Sequence, residues 1–488
     1  MPASHDTPPP LPIRDRLAWA GRFRRLVASH EADFAQLVEQ ELGKPRWETL
    51  TADIAPLLAS LRWHGRHARR LLTPRTLRGG GLLAMGQRHV VRREPLGCVA
   101  IIATWNYPVG LLGVQFSQAV IAGNAVTVKP SEHAPRTQSL LLELARRAGL
   151  DGDRLTVTEP TREAGRSLLA GHAFDHVIFT GSTEVGRSIA EILAPTLTPS
   201  TLELSGRDSA LVLEDAATRV AAQSIWYAAT ANAGQTCMAP RRVLVHRRVY
   251  DAFLRDLGLL AGAAGPRRLI NEQAAAHAFG LARSAKQAGA RSISGVFEAN
   301  QGATLRPLAM VDCPPDAELV EGRHFGPVFA VVPCSSEAEM IEIHRRCDQH
   351  LATSVFTRRP RAARRRLAGH LRVATVTFND CLIPTAHPAA SIGGVDASGW
   401  GRSQGEAGLL ELTRPVTTSR TSLLLRPPLE PPPPGRMRQM AGWFTRLHGA
   451  RRGLRTTLLA TETESSTPAS RGDRSKVQPR ELEKAQSP

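Results

Sequence analysis

Residues 98–130 read CVAIIATWNYPVGLLGVQFSQAVIAGNAVTVKP. CVAIIAT (98–104) is a short apolar run, the mark of a strand covered on both faces. Residues 109–122 suit a helix, and AVTVKP (125–130) is strand-like again. Strand, helix and strand in that order need a crossover connection, which makes the two strands parallel with the helix across them. The alternation continues outward with a helix from about Ser139 to Ala148, a strand at HVIFT (176–180), and a turn then helix in GSTEVGRSIAEIL (181–193). It starts again after Leu202 through ALVLE (210–214), a helix around Val220 to Asn232, and RVLVH (242–246). The fold class predicted is α/β, doubly wound, with parallel strands covered by helices.

Around this core the pattern changes twice. Upstream, apolar positions recur at helical spacing from Ile13 to about Leu72, as in Leu17, Trp19, Phe23, Leu26 and Val27, then Phe34, Leu37 and Val38. Gly43-Lys44-Pro45 stops that stretch, and residues 1–12 read as a loose, disordered arm. Downstream, RPPLEPPPPG from Arg426 is a stiff linker. Beyond it, residues 437–459 set Met440, Trp443, Phe444 and Leu447 on one helical face with arginines elsewhere, suited to an anionic membrane surface or a partner. The plainer reading is a flexible or self-docking appendage, and Gly442, Gly449 and Gly453 weaken the helix.

The 488 residues are 42% hydrophobic, too apolar for wholesale disorder, yet no apolar run reaches the ~18 residues of a membrane span. Six cysteines are scattered singly without a C-x-x-C pair, which argues against a disulfide scaffold or structural zinc and for reduced thiols in a cytoplasm. The formal charge of +18 is nearly all arginine, since Lys44, Lys129, Lys286, Lys476 and Lys484 are the lysines. Clusters such as RAARRR (361–366) read as solvated helix faces, and no nucleic-acid-binding motif accompanies them, so no nucleic-acid partner is expected.

Chemistry-bearing residues fall at strand and helix ends. In NAGQTCMAP (232–240) small, turn-prone residues precede Cys237 and hold its sulfur where a ligand can approach, although a lone cysteine is more often a small buried hydrophobe. TLELSG (201–206) puts Glu203 in an otherwise apolar strand end, where burial raises a carboxyl toward the range of a general base. Asn106 in TWNYP, just past a strand, can donate to a developing oxyanion. FTGSTEVG (179–186) leads a strand into a helix through glycine and serine, leaving N–H groups for a pyrophosphate. Lys129 and Glu132 in KPSE pair a cation and an anion suited to ribose hydroxyls.

Together ELGKP (41–45), ATWNYP (103–108), AGNAVTVKPSE (122–132), FTGSTEVG (179–186), LELSGR (202–207), NAGQTCMAP (232–240), FGPV (325–328), FND (378–380) and SGWGR (398–402) resemble the aldehyde dehydrogenase superfamily over about residues 13–425. The nearest likeness is to the short branch acting on aliphatic and aromatic aldehydes. The resemblance implies a Rossmann-type NAD(P)-binding domain (13–204, with a bridging strand near 89–94) and an α/β catalytic domain (205–396). A return segment with a small β oligomerisation element (397–425) and the appendage of 426–488 would follow. It implies oxidation of an aldehyde to a carboxylic acid through a cysteine thiohemiacetal and thioester. Cys237 is then the nucleophile, Glu203 the base that activates water, and Asn106 with the Cys237 N–H the oxyanion donors.

By the same resemblance Trp105, Lys129, Glu132, Gly181, Ser182 and Phe325 hold the cofactor, and no metal is involved. Glu132 suggests NAD, because a carboxylate repels a 2′-phosphate; nearby arginines keep NADP open. At least a homodimer is implied, bridged by strands around His89–Glu94 and Leu410–Ser419. Val109, Leu112, Phe116, Trp226 and Tyr227 are candidates for a substrate tunnel that would take a medium-chain or aromatic aldehyde, though core packing explains them equally well.

The sequence also departs from the family. Where two glutamates normally precede Phe325, the second clamping the nicotinamide ribose, it has Gly322 and Arg323. Ser205-Gly206-Arg207 replaces Gly-Gly-Lys, Thr104 replaces a proline, and Ser391-Ile392-Gly393-Gly394 replaces Pro-Phe-Gly-Gly. The changes touch cofactor clamping and late loops, so a second reading stays open: a catalytically weakened member serving as a binding or scaffold protein through its basic C-terminal segment.

Overall fold

The computed structural model describes residues 8–78, 84, 86–150, 152–171, 174–367, 369–424 and 432–448. The start of the arm, most of the proline-rich linker and the tail from Gly449 onward lie outside the described residues. The chain divides into two compact units, one of residues 1–78 with 89–419 and one of 79–88 with 420–488.

Among the described residues the first unit holds two large sheets. The first has the strand order Gly399–Trp400, Ser200–Leu204, His176–Gly181, Cys98–Ile102, Ala125–Lys129, Leu155–Val157. All neighbours are parallel except Gly399–Trp400, which runs against Ser200–Leu204. Side chains alternate between its faces, as a pleated strand requires. Val99, Ile101, Val126, Val128 and Ile178 pack on one side against the helices Ile13–Ser29, Glu31–Leu42, Ala55–Leu72, Gly110–Ala122 and Pro135–Arg147. Ala100, Val177, Phe179, Leu202 and Leu204 pack on the other against Arg162–Gly171 and Thr183–Leu193. The first cluster is keyed by Trp19, which stacks on Phe23 at 5.1 Å and donates its indole N–H to the Ala145 carbonyl at 3.0 Å.

The second sheet has the order Arg291–Ser292, Leu308–Val311, Val328–Cys334, Pro240–His246, Asp208–Val212, Ala352–Phe356, Thr375–Phe378. It too is parallel apart from Arg291–Ser292 at its edge. Leu211, Leu244, Met310 and Val355 face one cluster, while Ala210, Val212, Val243, Val245 and Phe356 face the other. Each expected strand and helix of the α/β reading is present, displaced by a few residues at most.

Two details differ from expectation. Residues Gly405–Glu411 are a helix, so the late strand begins at Thr413, not Leu410, and runs to Thr421. The arm ends in order, because Arg154 donates to the Pro9 carbonyl at 2.6 Å and Ile13 starts a helix directly after Pro12. Arg75–Leu77, Gln87–Pro95 and Thr413–Thr421 form a three-stranded ribbon.

In the second unit the helix Pro434–His448 forms in spite of Gly442, and Met437, Met440, Trp443, Phe444 and Leu447 are exposed along it. No helix among the described residues is long and apolar enough to cross a membrane.

Candidate active site and dinucleotide cleft

The first sheet runs outward in opposite directions from Cys98–Ile102: the next two strands add on one side, then His176–Gly181 adds on the other. Such a reversal leaves a crevice beyond the carboxyl ends of the two central strands, where α/β sheets bind ligands. Thr104, Trp105 and Asn106 follow one of those ends, and Thr180, Gly181 and Ser182 close the other.

A cleft of about 660 Å³ opens there, lined by Trp105, Lys129, Glu132, Gly181 and Ser182 among others. Five of the six expected cofactor residues therefore share one cavity. The sixth, Phe325, adjoins it through an edge-on contact with Trp105, ring centroids 5.8 Å apart. The Ser182 side chain caps the helix Thr183–Leu193 by accepting from Val185 N. Lys129 Nζ donates to Glu132 Oε2 at 2.9 Å, and Arg162 Nε donates to Glu132 Oε1 at 3.0 Å. Burial pushes the Glu132 carboxyl up, yet its own N–H, Lys129 and Arg162 outweigh this and hold it down to about 2. Cations and a carboxylate at one end and a helix N-terminus at the other form a donor set that fits a dinucleotide.

Cys237 sits on a loop shaped by backbone of unusual hand. Asn232 and Ala233 lie in the left-handed region with φ of 52° and 54°, followed by Gly234 at 72°. A Cβ on Gly234 would fall onto the backbone of Gly326 and Pro327, so glycine is needed there twice over. Arg241, almost fully buried, clamps the loop by donating from Nη2 to the Gly234 and Thr236 carbonyls and from Nη1 to the Gly326 carbonyl at 2.7 Å. The Asn232 N–H donates to Glu48 Oε2 at 2.7 Å, and its Nδ2 to the Asn106 carbonyl at 2.7 Å.

Asn106 is thereby drawn to the cysteine loop. Its Nδ2 donates one hydrogen to the Gln235 carbonyl at 3.1 Å, two residues before Cys237, and its Oδ1 accepts from Thr104 Oγ1 at 3.0 Å. The side chain is oriented from both ends, with a second amide hydrogen to give. Lys44 Nζ supports it from behind through the Asn106 carbonyl, at 2.7 Å.

Glu203 lies at the end of Ser200–Leu204, in register with Thr180. Oε1 accepts from Ser403 Oγ, and Oε2 accepts from Gln115 Nε2 at 3.0 Å and Thr180 Oγ1 at 3.4 Å. Burial raises its pKa, and these three donors work against the rise. Cys237 is pushed up to about 12, by burial first and then by the charges of Glu203 and Asp208.

A second cavity, of about 390 Å³, is lined by Cys237, Gln115 and Ser403, while Glu203 and Asn106 are not in its wall; Glu203 reaches it only through its partners Gln115 and Ser403. Its remaining wall is mainly apolar, including Trp47, Leu111, Val114, Tyr227, Leu382 and Ile383. Of the tunnel candidates, Tyr227 is there. Val109, Leu112 and Phe116 instead point into the core, each no more than 1% exposed, and Trp226 packs against the second sheet's core. The helix Gly110–Ala122 is buried nearly all round, its polar Gln115, Ser117 and Gln118 included, so periodicity could not say which face meets the cavity. Sequence reading also missed Gln115, Ser403, Arg241, Lys44 and Asp53. Each is polar and buried, a signal visible only once burial is known.

Residues 5–418 match the profile of the Aldehyde dehydrogenase family. Among relatives, a "putative succinate-semialdehyde dehydrogenase [NADP(+)]" of Mycolicibacterium smegmatis is 32% identical, covering 86% of this chain and 83% of that one. The "4,4'-diapolycopene-4,4'-dial dehydrogenase" of Cytobacillus firmus is 30% identical over 80% of this chain and 86% of its own. Among solved structures, an aldehyde dehydrogenase of Mycobacterium tuberculosis complexed with NAD+ superposes with a TM-score of 0.78 at 27% identity, covering 85% of this chain and 86% of that one.

Proposed function

The chain belongs to the aldehyde dehydrogenase family, and on that footing we propose that Cys237, Glu203 and Asn106 carry its reaction. The protein is an oxidoreductase that converts an aldehyde to a carboxylic acid with NAD(P)+. The observation that carries the assignment is that Cys237 lines the same cavity as Ser403 and Gln115, two of the three residues that donate to Glu203. Nothing in the relatives or the site favours the scaffold reading.

The steps follow from the groups in place. Once deprotonated, the Cys237 sulfur adds to the aldehyde carbon, since a soft nucleophile splits one hard step into two easier ones. The free amide hydrogen of Asn106 and the Cys237 N–H take up the charge on oxygen. The dinucleotide, when bound, supplies the hydride acceptor. The thioester left on Cys237 is opened by water that gives its proton to Glu203, which releases the acid and restores the sulfur. Lys129, Glu132, Gly181, Ser182 and Trp105 would hold the dinucleotide, and Phe325, packed on Trp105, would border it. On this reading residues 13–204 are the NAD(P)-binding domain and 205–396 the catalytic domain.

The substrate is an uncharged apolar aldehyde. The cavity wall carries no lysine or arginine to pair with a carboxylate, and Glu48 in that wall would repel one. The strand Thr413–Thr421, exposed along nearly all its length, is an open edge suited to pairing subunits in a dimer. The unpaired cysteines suit a reducing cytoplasm. Aldehyde-dependent NAD(P)H formation across octanal, benzaldehyde and succinic semialdehyde tests the reading. Turnover of the first two, abolished in Cys237→Ala, is expected; turnover unaffected by that change would overturn it.

A further inference from the structure

Arg323 occupies the place where family members carry a ribose-holding carboxylate, and the structure shows what the guanidinium does there. Nη1 donates to Glu184 Oε1 at 2.8 Å, and Nη2 donates to Asp348 Oδ2 at 2.9 Å. Glu184 lies in the first turn of the helix Thr183–Leu193 and lines the dinucleotide cleft beside Gly181 and Ser182. Asp348 is shared with Arg207, whose Nη2 donates to its Oδ1 at 3.0 Å. The loop is pinned on either side of this contact. His277 Nε2 donates to the Arg323 carbonyl at 2.7 Å, and Phe325, two residues on, abuts Trp105 in the cleft.

The guanidinium is thus tied to the cleft through Glu184, a carboxylate of its wall in the helix turn nearest the expected pyrophosphate. A cation cannot accept hydrogen bonds from ribose hydroxyls, whereas its fork of donors matches phosphate oxygens. Its side chain is 37% exposed, which leaves it room to turn.

We propose that Arg323 binds the diphosphate of the dinucleotide, exchanging Glu184 for phosphate oxygens when the cofactor enters and keeping Asp348 as its second partner. The cofactor is then anchored through its phosphates on the side where the ribose clamp is missing. This rests on the cofactor cleft assigned above.

Calorimetric titration of the full chain with NAD+, ADP-ribose and adenosine tests it, in wild type, Arg323→Gln and Glu184→Gln. Arg323→Gln is expected to weaken NAD+ and ADP-ribose about tenfold or more, as loss of a charged phosphate contact should, and to leave adenosine unchanged. Glu184→Gln, which removes the competing carboxylate, is expected to tighten ADP-ribose. Raising salt should weaken ADP-ribose binding more in wild type than in Arg323→Gln. Unchanged or tighter ADP-ribose binding in Arg323→Gln would show that the arginine is merely a strap across the cleft, and would overturn the proposal alone. Wild type that binds neither NAD+ nor ADP-ribose would overturn the cofactor cleft and this assignment with it.

Discussion

Lys44 and Asp53 form a fully buried ion pair 2.6 Å long, and each partner also reaches the loop that carries Asn106. Lys44 Nζ donates to the Asn106 carbonyl, and Asp53 Oδ1 accepts from the N–H groups of Val109 at 3.2 Å and Gly110 at 2.9 Å. The pair therefore fixes the backbone at Asn106, the proposed oxyanion donor, and in the turn that follows it. Removing one partner strands a charge out of water, so Lys44→Met should destabilise by about 3–5 kcal/mol in urea unfolding. The double change Lys44→Met with Asp53→Leu should lose less than the two single changes added together. Simple additivity in that cycle would mean the pair is not coupled.

Glu203→Gln should leave one burst of reduced cofactor and cut steady turnover about 10²–10⁴-fold, because hydrolysis needs the base and carbon–sulfur bond formation needs the thiolate. Stopped-flow absorbance resolves the two phases. Equal loss of both would move the base to another group.

Ser403→Ala should shift the acidic limb of the kcat–pH profile upward. The Ser403 hydroxyl stabilises the charged Glu203 carboxylate, and burial already raises that pKa. Losing the donor raises it further, so a more alkaline pH is needed to populate the base. A limb that stays put or moves down contradicts this.

Arg162→Gln should turn the enzyme away from NADP+. Arg162 and Lys129 together neutralise Glu132. Without the arginine, the carboxylate repels a 2′-phosphate while still accepting from 2′ and 3′ hydroxyls. The ratio of kcat/KM for NADP+ over NAD+ should fall by about tenfold.

Asp208 offers a test through stability. Burial raises it from 3.8 to about 7, although its Oδ1 accepts from Leu351 N at 3.0 Å and Ala352 N at 2.9 Å. A carboxyl whose folded pKa is raised favours the folded state fully below its unfolded value, and that contribution disappears as pH rises through the folded one. Asp208 should thus withdraw up to about 4 kcal/mol between pH 4 and 8. Asp208→Asn should flatten that part of the stability curve relative to wild type, as measured by urea unfolding at each pH.

Much of the molecule was legible from order along the chain. Buried parallel strands are apolar on both faces, so CVAIIAT, AVTVK and HVIFT announced themselves, and glycine with serine after a strand marked the turn at Gly181 and Ser182. Cys237, Glu203 and Asn106 could be singled out as candidates because their contexts are local: a kinked loop, an acid in an apolar strand end, an amide past a strand. The tunnel wall could not. Gly110–Ala122 is buried on nearly every side, and with no polar face the pattern cannot distinguish Phe116 in the core from Val114 at the cavity.

The sequence by itself determined the alternation of strands and helices and the chemistry of the groups at the strand ends, since backbone geometry ties both to spacing of a few residues. Only the tertiary structure decided which polar groups meet. Ser403 comes to Glu203, Arg241 threads beneath the cysteine loop to Gly326, and Arg323 spans from Glu184 to Asp348. Those meetings join residues far apart in the chain, and what selects them is the need to pair each group taken out of water, a requirement that exists only after the chain has closed around it.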